Sequence, residues 1–533
     1  MKNTPSIPFY KNVEVLKSLF LALLATLFLV ELGLSLHWRL LSDSAFLHYV
    51  AYLINEHGFV PYRDIFEVNM PGTYLFHMAI GRMFGYSDFA FRMVDVAWLT
   101  ATLTVTWFLM KPFGQLVASA SCLLFGLIYL GVGPLMSLER DTIVILPIAT
   151  ALLLATQRRP NQSVNLIHFL LGILFALTAL IKPHLAIGLP AMIVYNCIHD
   201  SNGSKSVRTL IKPCIVGGIV ALVGFLSTLT IPFLWLWQIE AFQPFWDIFS
   251  SYTPLYSQMS GDLEFRGTLD RVLYVVYWYI KFGGFEILLT TSMFGVYIVF
   301  TKSASAATKK LAILLLSLSV LYSVYVVIGG KLVWTYHWMP YVYFASLGTA
   351  TVLFSPPSFA SLHRPITLPL FVFIVTAMMT LLPTHDVGKQ ILKQILGQQP
   401  APPMKGRVDE IATYLNEHLS PNDKVQPLEW IGGAVHAMLV SKAVVATPYL
   451  TDFQFYHHVS NPYIQKLRKN FMTKLKGEMP TFIIEVYETS RVSGLDTTDK
   501  FPKLRKFIEQ HYDKDYTGNG FDIFRRNDEQ RKP

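Results

Sequence analysis

Charged residues are scarce in this sequence, and they are unevenly distributed. Of 533 residues only 15% are Asp, Glu, Lys or Arg, whereas 52% are hydrophobic and the mean hydropathy is +0.40. A soluble protein carries about 25% charged residues, so the composition excludes a series of soluble domains. From Met404 onward, however, the chain holds 19 of its 44 basic and 17 of its 35 acidic residues. The sequence predicts a membrane-embedded domain at residues 1–395, a linker at 396–403 and a soluble α/β domain at 404–533.

Cysteines and clustered basic residues are also few. The three cysteines, Cys122, Cys197 and Cys214, lie in or beside apolar segments without CxxC spacing, which argues against a disulfide framework or a zinc site. The net charge of +9 comes without the dense stripe of Lys and Arg that binding to a phosphate backbone requires. We therefore expect membrane lipids, but no nucleic acid, among the partners.

Long apolar runs predict about eleven membrane-spanning helices, because each span needs about 20 mostly apolar residues. The first, residues 16–36, lacks a small-residue cleavage site and is interpreted as an uncleaved anchor. The others begin near Phe89, Gln115, Thr142, Val164, Pro183, Ile211, Tyr277, Lys309, Tyr336 and Pro365. The fold class is therefore a polytopic α-helical membrane protein.

Basic residues predict the orientation, since cytoplasmic loops carry the excess of Lys and Arg. With the N-terminus inside, the inner loops hold Lys111, Arg158, Arg159, Lys205, Arg208, Lys302, Lys309, Lys310 and Arg364. The long connections, residues 37–88, 134–141 and 235–276, then lie outside together with the C-terminal domain. We expect an integral protein of the bacterial inner membrane whose C-terminal domain is extracytoplasmic.

Two further patterns concern the outer side. Residues 45–53 and 72–84 of the first loop are amphipathic and too short to span, so we expect helices that lie in the interface. In the C-terminal domain, predicted helices at 408–419, 433–440, 463–475 and 500–512 alternate with predicted strands at 425–430, 444–447, 481–486 and 521–525. This alternation indicates a small α/β layer. It contains no glycine-rich phosphate loop.

Ionisable residues gather on the predicted outer side, and at membrane depth such residues indicate functional sites. They are Asp43, Asp64, Glu67, Glu139, Arg140, Asp141, Lys182, His184, Lys331 and His337. Plainer explanations stay open. Asp43 and Asp141 are suited to cap helices, Arg140 and Lys182 to anchor at the interface, and His337 to be an ordinary interfacial histidine. Asp88 and Arg92 read as a structural i, i+4 pair.

Short motifs in the membrane half resemble those of a known group. They are Asp43, Gly58, Pro61-Tyr62-Arg63-Asp64, Met70-Pro71-Gly72-Thr73-Tyr74-Leu75, Phe84-Gly85-Tyr86-Ser87, Arg92, Glu139-Arg140-Asp141, Lys182-Pro183 and Tyr336-His337 followed by Pro340. In the order of its motifs and in the membrane side on which they lie, this set resembles the GT-C membrane glycosyltransferases. These are the enzymes related to protein O-mannosyltransferases and the lipid A aminoarabinose transferase. One feature departs from that pattern: many relatives have Lys-Pro-Pro in the first loop, where this chain has Met70-Pro71-Gly72. Arg140, Lys182 or Lys331 would substitute for that lysine.

The resemblance implies a polyprenyl-phosphate sugar as donor and a lipid, glycan or protein as acceptor. Asp43 would be the general base that takes a proton from the acceptor, and direct displacement would invert the anomeric centre. The donor phosphate would be bound by Arg140, Lys182, Lys331 and His337. The acceptor-holding, orienting or metal-binding residues would be Asp141, Glu139, Asp64 and Glu67. A divalent cation, Mg²⁺ or Mn²⁺, on Asp43 and Asp141 stays open.

Two other classes of function stay open at this point. A transporter or flippase for a lipid-linked or anionic substrate would also span the membrane many times, but such proteins tend to show internal repeats and polar sites at the membrane midplane. Neither feature is evident here. An assembly or scaffold protein that uses the C-terminal domain for binding is the third class, and the long first loop with Asp43 argues against it.

Overall fold

The computed structural model describes residues 9–157, 163–200, 207–258, 269–270, 272–273, 285–302, 304–328, 335–354, 367–384, 396–397, 402–487 and 496–527. The chain divides into two compact units. The first, here called the helical unit, consists of Met1–His37, Asp95–Thr230 and Val272–Gln398. The second, the mixed unit, consists of Trp38–Val94, Ile231–Arg271 and Gln399–Pro533. The mixed unit thus combines most of the predicted first outer loop with the C-terminal domain.

Helices dominate the chain before residue 385, as the apolar runs predict. They are α1 (Phe9–Ser35), α2 (Asp43–His57), α3 (Pro71–Phe84), α4 (Asp88–Met110), α5 (Gln115–Val132), α6 (Arg140–Ile143), α7 (Ile145–Thr156), α8 (Val164–Ile181), α9 (Leu189–Asp200), α10 (Val207–Gln238), α11 (Phe242–Asp247), α12 (Thr253–Gln258), α13 (Phe285–Thr301), α14 (Ala306–Ile328), α15 (Met339–Ala350) and α16 (Thr367–Thr384).

Six helices in the described ranges are long and apolar enough to cross a membrane. They are Val15–Ser35, Asp88–Phe113, Gln115–Val132, Val164–Ile181, Leu210–Gln238 and Ala306–Val326. Shorter apolar helices at Pro183–Ile198, Ile287–Thr301 and Leu368–Leu382 match three more predicted spans. The integral membrane character is therefore confirmed. The count of eleven stays a prediction, and the predicted start near Tyr277 lies outside the described residues.

Small residues let two helices of the helical unit approach closely. A Cβ atom added to Gly172 of α8 would lie 1.9 Å from the backbone oxygen of Ala221 in α10. Likewise, a Cβ on Gly224 would lie 2.2 Å from the oxygen of Phe169. Close approach of backbones through small residues is the usual way in which helices associate in a membrane. Van der Waals packing therefore joins α8 to α10 here.

The C-terminal domain is the small α/β layer that the sequence predicts. Its helices are α17 (Arg407–His418), α18 (Ala434–Ser441), α19 (Pro462–Glu478) and α20 (Pro502–His511), and its strands are β1 (Lys424–Leu428), β2 (Val444–Val445), β3 (Phe482–Val486), β4 (Tyr512–Gly518) and β5 (Phe521–Arg526). The strand order is β2-β1-β3-β5-β4. The β1 strand pairs in parallel with β2 and β3, whereas β5 is antiparallel to β3 and β4.

Strand β4 is the element that the sequence analysis misses. The predicted helix at residues 500–512 ends at His511, and the chain continues as a strand from Tyr512 to Gly518. Three of its seven residues, Asp513, Lys514 and Asp515, are consecutive, charged and exposed. An edge strand pairs on one side only, and natural sheets protect such edges with charge. The apolar alternation that marks a strand in a sequence is therefore absent from β4.

Helices α2 and α3 confirm the two helices predicted in the first loop. Helix α2 ends at Gly58, which adopts a left-handed conformation with φ of 68°, a common helix termination. Helix α3 begins with Pro71, whose missing N–H costs nothing at that position. Within the mixed unit α2 packs against α18, and the Tyr49 hydroxyl donates a 2.8 Å hydrogen bond to the backbone oxygen of Ala443.

Candidate active site

Asp43 is the first residue of α2 and is partly exposed. The N-cap position belongs to Ser42, whose side chain makes no capping hydrogen bond. Ser42 has φ of 57° and ψ of −132°, a conformation that costs a non-glycine residue about 1–3 kcal/mol and persists only when its surroundings hold it. A carboxylate in the first helical turn also faces the positive end of the helix dipole. Asp43 thus follows a strained turn at a helix start.

Asp64 and Glu67 lie in the same loop of the mixed unit as Asp43. The Arg63 guanidinium donates to both oxygens of Asp64, at 3.1 and 3.0 Å, and the backbone N–H of Val60 donates to Asp64 Oδ2 at 2.9 Å. Burial raises the pKa of Asp64, but these bonds outweigh it and hold the pKa below its ordinary value. Because its partners are Arg63 and Val60 of the same loop, Asp64 stabilises that loop. Glu67 is buried, with 8% of the residue exposed.

A buried cluster joins four elements of the helical unit around Asp141, which is 0% exposed. Asp141 Oδ1 accepts a 2.6 Å hydrogen bond from the Tyr325 hydroxyl in α14. Asp141 Oδ2 accepts a 2.5 Å bond from Lys182 Nζ, at the end of α8, and lies 3.1 Å from His337 Nδ1. Lys182 Nζ also lies 2.9 Å from the same His337 nitrogen. Of the predicted site residues, the structure therefore brings Asp141, Lys182 and His337 together.

Charges within this cluster determine its protonation. Burial would raise the pKa of Asp141, but the positive charge of Lys182 and its hydrogen bond outweigh this effect and hold the pKa below its ordinary value. Burial, and then the positive charge of Lys182, lower the pKa of His337 to about 4. Near neutral pH the cluster thus contains an aspartate ion, a lysine whose pKa burial also lowers, and a neutral histidine.

Glu139 and Arg140 extend the cluster along the chain. Glu139 is the N-cap residue of α6 and is 0% exposed, and Arg140 is partly exposed. The charge of Arg140 lowers the pKa values of both Lys182 and His337. Two cations and two carboxylates are therefore concentrated at this position of the helical unit.

The turn before Asp141 is strained and held by a buried aspartate. Leu138 has φ of 46°, although it is not glycine. Its backbone N–H donates a 3.1 Å hydrogen bond to Oδ1 of Asp95, which is 1% exposed and also accepts from the Tyr129 hydroxyl. Because a strained backbone needs surroundings that over-determine it, Asp95 and Tyr129 position the segment that carries Asp141.

Three of these residues are not among the predicted site residues. Tyr325 and Tyr129 lie within apolar helices, and only their three-dimensional contacts reveal their roles. Asp95 carries a signal, because it is an ionisable residue inside the span that begins near Phe89. His184, at the predicted outer side, is exposed. Lys331, a predicted phosphate ligand, lies outside the described residues.

The cluster around Asp141 does not fit a divalent cation. Both oxygens of Asp141 accept hydrogen bonds, and Oδ2 faces the Lys182 ammonium at 2.5 Å, where a second cation would be repelled. Within the described ranges, no group of three or more His, Cys, Asp or Glu is arranged to hold a metal ion. We therefore assign no metal ion to Asp141.

Comparisons with known proteins give the fold a precedent. No family model matches the chain, and no curated protein matches its sequence. The crystal structure of ArnT from Cupriavidus metallidurans bound to undecaprenyl phosphate is similar, with a TM-score of 0.57 and 11% identity over 96% of this chain and 99% of that chain. Its apo state gives a TM-score of 0.54 and 12% identity over 95% and 98%. The expected likeness to the lipid A aminoarabinose transferase is thus confirmed for the fold alone.

Proposed function

We propose that this protein is a membrane glycosyltransferase that moves a sugar from a polyprenyl-phosphate donor to an acceptor at the extracytoplasmic face. The observation that carries the proposal is the extent of the fold match, 96% of this chain and 99% of an ArnT solved with undecaprenyl phosphate. That match includes the C-terminal domain as well as the helices. The acceptor is a lipid, a glycan or a protein.

Asp43 is the general base of the proposed reaction. It takes the proton of an acceptor hydroxyl or amine while the acceptor atom forms a bond to the anomeric carbon. The bond between that carbon and the phosphate oxygen breaks, and its electron pair leaves with the polyprenyl phosphate. A single displacement inverts the anomeric centre. Partial exposure and position at a helix start support this role, because the base must reach the acceptor.

Arg140, Lys182 and His337 are the candidates to bind the donor phosphate. The Lys182 ammonium has three N–H donors, and the contacts with Asp141 and His337 account for two of them. The planar guanidinium of Arg140 suits a bidentate contact with phosphate oxygens. Preorganised cations stabilise the negative charge that develops on the leaving group. Asp141 orients Lys182 in this scheme.

A transfer assay tests the proposal directly. Purified protein in detergent is given a radiolabelled polyprenyl-phosphate sugar and a crude envelope fraction as acceptor source. We expect labelled acceptor with the wild type and with Asp513→Asn, an exposed control on β4, and its loss with Asp43→Asn. Lipid movement without sugar transfer would favour a transporter or flippase and overturn the proposal.

The membrane side needs a separate experiment. We propose a bacterial inner-membrane protein whose C-terminal domain is extracytoplasmic, and Ser420, four residues before Lys424, is exposed there. A Ser420→Cys variant should react with an impermeant thiol reagent in intact spheroplasts, and the parent chain sets the background from its three cysteines. Labelling that appears only after lysis would place Asp43 on the wrong side.

A further inference from the structure

The segment Trp38 to Asp43, here called the Asp43 turn, is anchored to the beginning of helix α4. The backbone N–H of Leu40 donates a 3.0 Å hydrogen bond to Asp88 Oδ1, and Arg39 Nε donates a 2.6 Å bond to Asp88 Oδ2. One turn further along α4, the Arg92 guanidinium lies 4.2 Å above the ring of Trp38. Asp88 therefore holds the turn three residues before Asp43.

The C-terminal domain supplies the partners of this anchor. His436 Nε2 lies 3.0 Å from Asp88 Oδ1 and donates to it in the tautomer with the proton on Nε2. Arg39 Nη1 donates a 2.6 Å hydrogen bond to Asp409 Oδ1 in the first turn of α17. The C-terminal domain thus contacts both members of the Asp88–Arg39 pair: the His436 imidazole contacts Asp88, and the Asp409 carboxylate contacts Arg39.

The contact between His436 and Asp88 is more buried than an ordinary surface ion pair, which contributes little, whereas Asp409 at the other contact is 48% exposed. The side chain of His436 is only 4% exposed, and those of Asp88 and Arg39 are 19% and 27% exposed. His436 also lies in the first turn of α18, whose start is fixed because the Glu429 carboxylate accepts the backbone N–H groups of Ala434 and Val435 at 2.8 Å. The imidazole therefore approaches Asp88 from a fixed backbone.

Further contacts fix the direction of α2, the helix that Asp43 begins. The hydroxyls of Tyr49 and Tyr52 donate to the backbone oxygens of Ala443 and Lys442, at 2.8 and 3.2 Å. The C-terminal domain thus holds the middle of α2, and it holds the turn before α2 through Asp88. Because Ser42 has φ of 57°, this turn requires such support.

We propose that the C-terminal domain positions the catalytic base: His436 and Asp409 hold the Asp88–Arg39 pair, and Asp88 fixes the turn that carries Asp43. This inference rests on the proposed function, because it assumes that Asp43 is the base. Asp88 and Asp409 contact the Asp43 turn and His436 contacts Asp88, so all three are positioning residues. A displacement of about 1 Å in a catalytic group can lower a rate by roughly 10²-fold.

The test compares two histidines of the C-terminal domain. His436→Gln removes the imidazole at Asp88, and His418→Gln makes the same substitution at an exposed position at the end of α17. We expect His436→Gln to lower kcat by roughly tenfold or more with unchanged KM for donor and acceptor, and His418→Gln to equal the wild type. Asp88→Asn should lower kcat as well, and the double variant with His436→Gln should lose less than the product of both single losses.

Hydrogen exchange separates this inference from the proposed function. The amide of Leu40 should exchange faster in His436→Gln than in His418→Gln, whether or not sugar is transferred. If the wild type transfers no sugar, the proposed function fails, and unchanged exchange at Leu40 would independently refute the anchoring by the C-terminal domain. A raised acceptor KM with unchanged kcat in His436→Gln would also overturn the inference, because it would make the residue part of acceptor binding.

Discussion

The turn before Asp43 in the mixed unit and the turn before Asp141 in the helical unit are built alike. In each, a backbone N–H three residues before the aspartate, that of Leu40 or Leu138, donates to a carboxylate of α4. Each also contains a non-glycine residue with positive φ. The two aspartates differ, because Asp43 is partly exposed whereas Asp141 is completely buried and bonded to Tyr325 and Lys182.

This difference separates two tasks for a carboxylate. A buried, ion-paired carboxylate holds its partners in place and is costly to remove, because the partner charge is left without compensation. A carboxylate that reaches solvent at a helix start can meet a substrate and accept its proton. We therefore expect changes at Asp43 to affect chemistry alone, and changes at Asp141 to affect stability as well as the orientation of Lys182. The following predictions test that division in order of decreasing effect.

Replacing the two aspartates by asparagine should affect protein stability differently. In Asp43→Asn, sugar transfer should fall by roughly 10²–10⁴-fold, the usual contribution of a general base, with an unchanged melting temperature. In Asp141→Asn, Lys182, whose side chain is 16% exposed, loses its counter-ion, which should cost about 3 kcal/mol of stability. Thermal unfolding in detergent beside the transfer assay measures both. Equal destabilisation of the two variants would remove the distinction.

Tyr325→Phe tests the contribution of a single hydrogen bond to the Asp141 cluster. The substitution removes the hydroxyl that donates to Asp141 Oδ1 at 2.6 Å and keeps the ring. A hydrogen bond to a charged group contributes about 1.5–3 kcal/mol, so the melting temperature should fall, but less than in Asp141→Asn. Tyr297→Phe is the matched control, because Tyr297 is exposed. An unchanged melting temperature in Tyr325→Phe would show that the bond does not stabilise the cluster.

Mild acid should weaken the helical unit through His337. The folded protein lowers the pKa of His337 from 6.5 to about 4. Between pH 6.5 and pH 4, His337 is therefore protonated in the unfolded chain but neutral in the folded protein, which favours unfolding. Stability should fall by roughly 1–2 kcal/mol between pH 7 and pH 5. The contribution of Asp141, whose pKa is lowered, is lost only below about pH 4. Melting curves of His337→Gln should show a smaller drop than those of wild type or His418→Gln, and an equal drop would contradict the assignment.

Ser42→Gly should have the smallest effect on stability. Glycine adopts a positive φ without strain but loses more conformational entropy on folding, so we expect a change within about 1 kcal/mol. If the strained turn positions Asp43, sugar transfer should still decrease, because glycine allows other conformations. Ser420→Gly at an exposed site is the matched control. Full activity in Ser42→Gly would indicate that the strain has no role in positioning.

Much of the fold follows from the sequence, because apolar length determines a membrane helix and burial determines a central strand. All five residues of β3 are buried, and its apolar sequence predicts it. The candidate residues Asp141, Lys182 and His337 were also predicted, since ionisable groups beside a membrane are rarely accidental. Their mutual hydrogen bonds, however, join residues 41 to 196 positions apart in the chain.

The anchoring role of Asp88 shows why the remainder could not be predicted. Its position four residues before Arg92 suggested a local helix pair, yet the structure gives it Arg39 and His436, the latter 348 positions away. A carboxylate at a helix start accepts many partners equally well, and only the packing of the C-terminal domain selects among them. Strand β4 was missed for a related reason, because its charged residues serve an edge and not a core.

The two edges of the C-terminal sheet affect whether neighbouring copies in a membrane can pair through their strands. A bilayer holds the copies of a protein in one plane and in one orientation, so the sheet edges of neighbouring C-terminal domains can meet. At one edge β2 offers only two paired residues, and at the other β4 presents Asp513 and Lys514. Short and charged edges are those that resist joining to a neighbouring sheet. Two copies that meet in the plane of a membrane are therefore not expected to join their C-terminal sheets edge to edge.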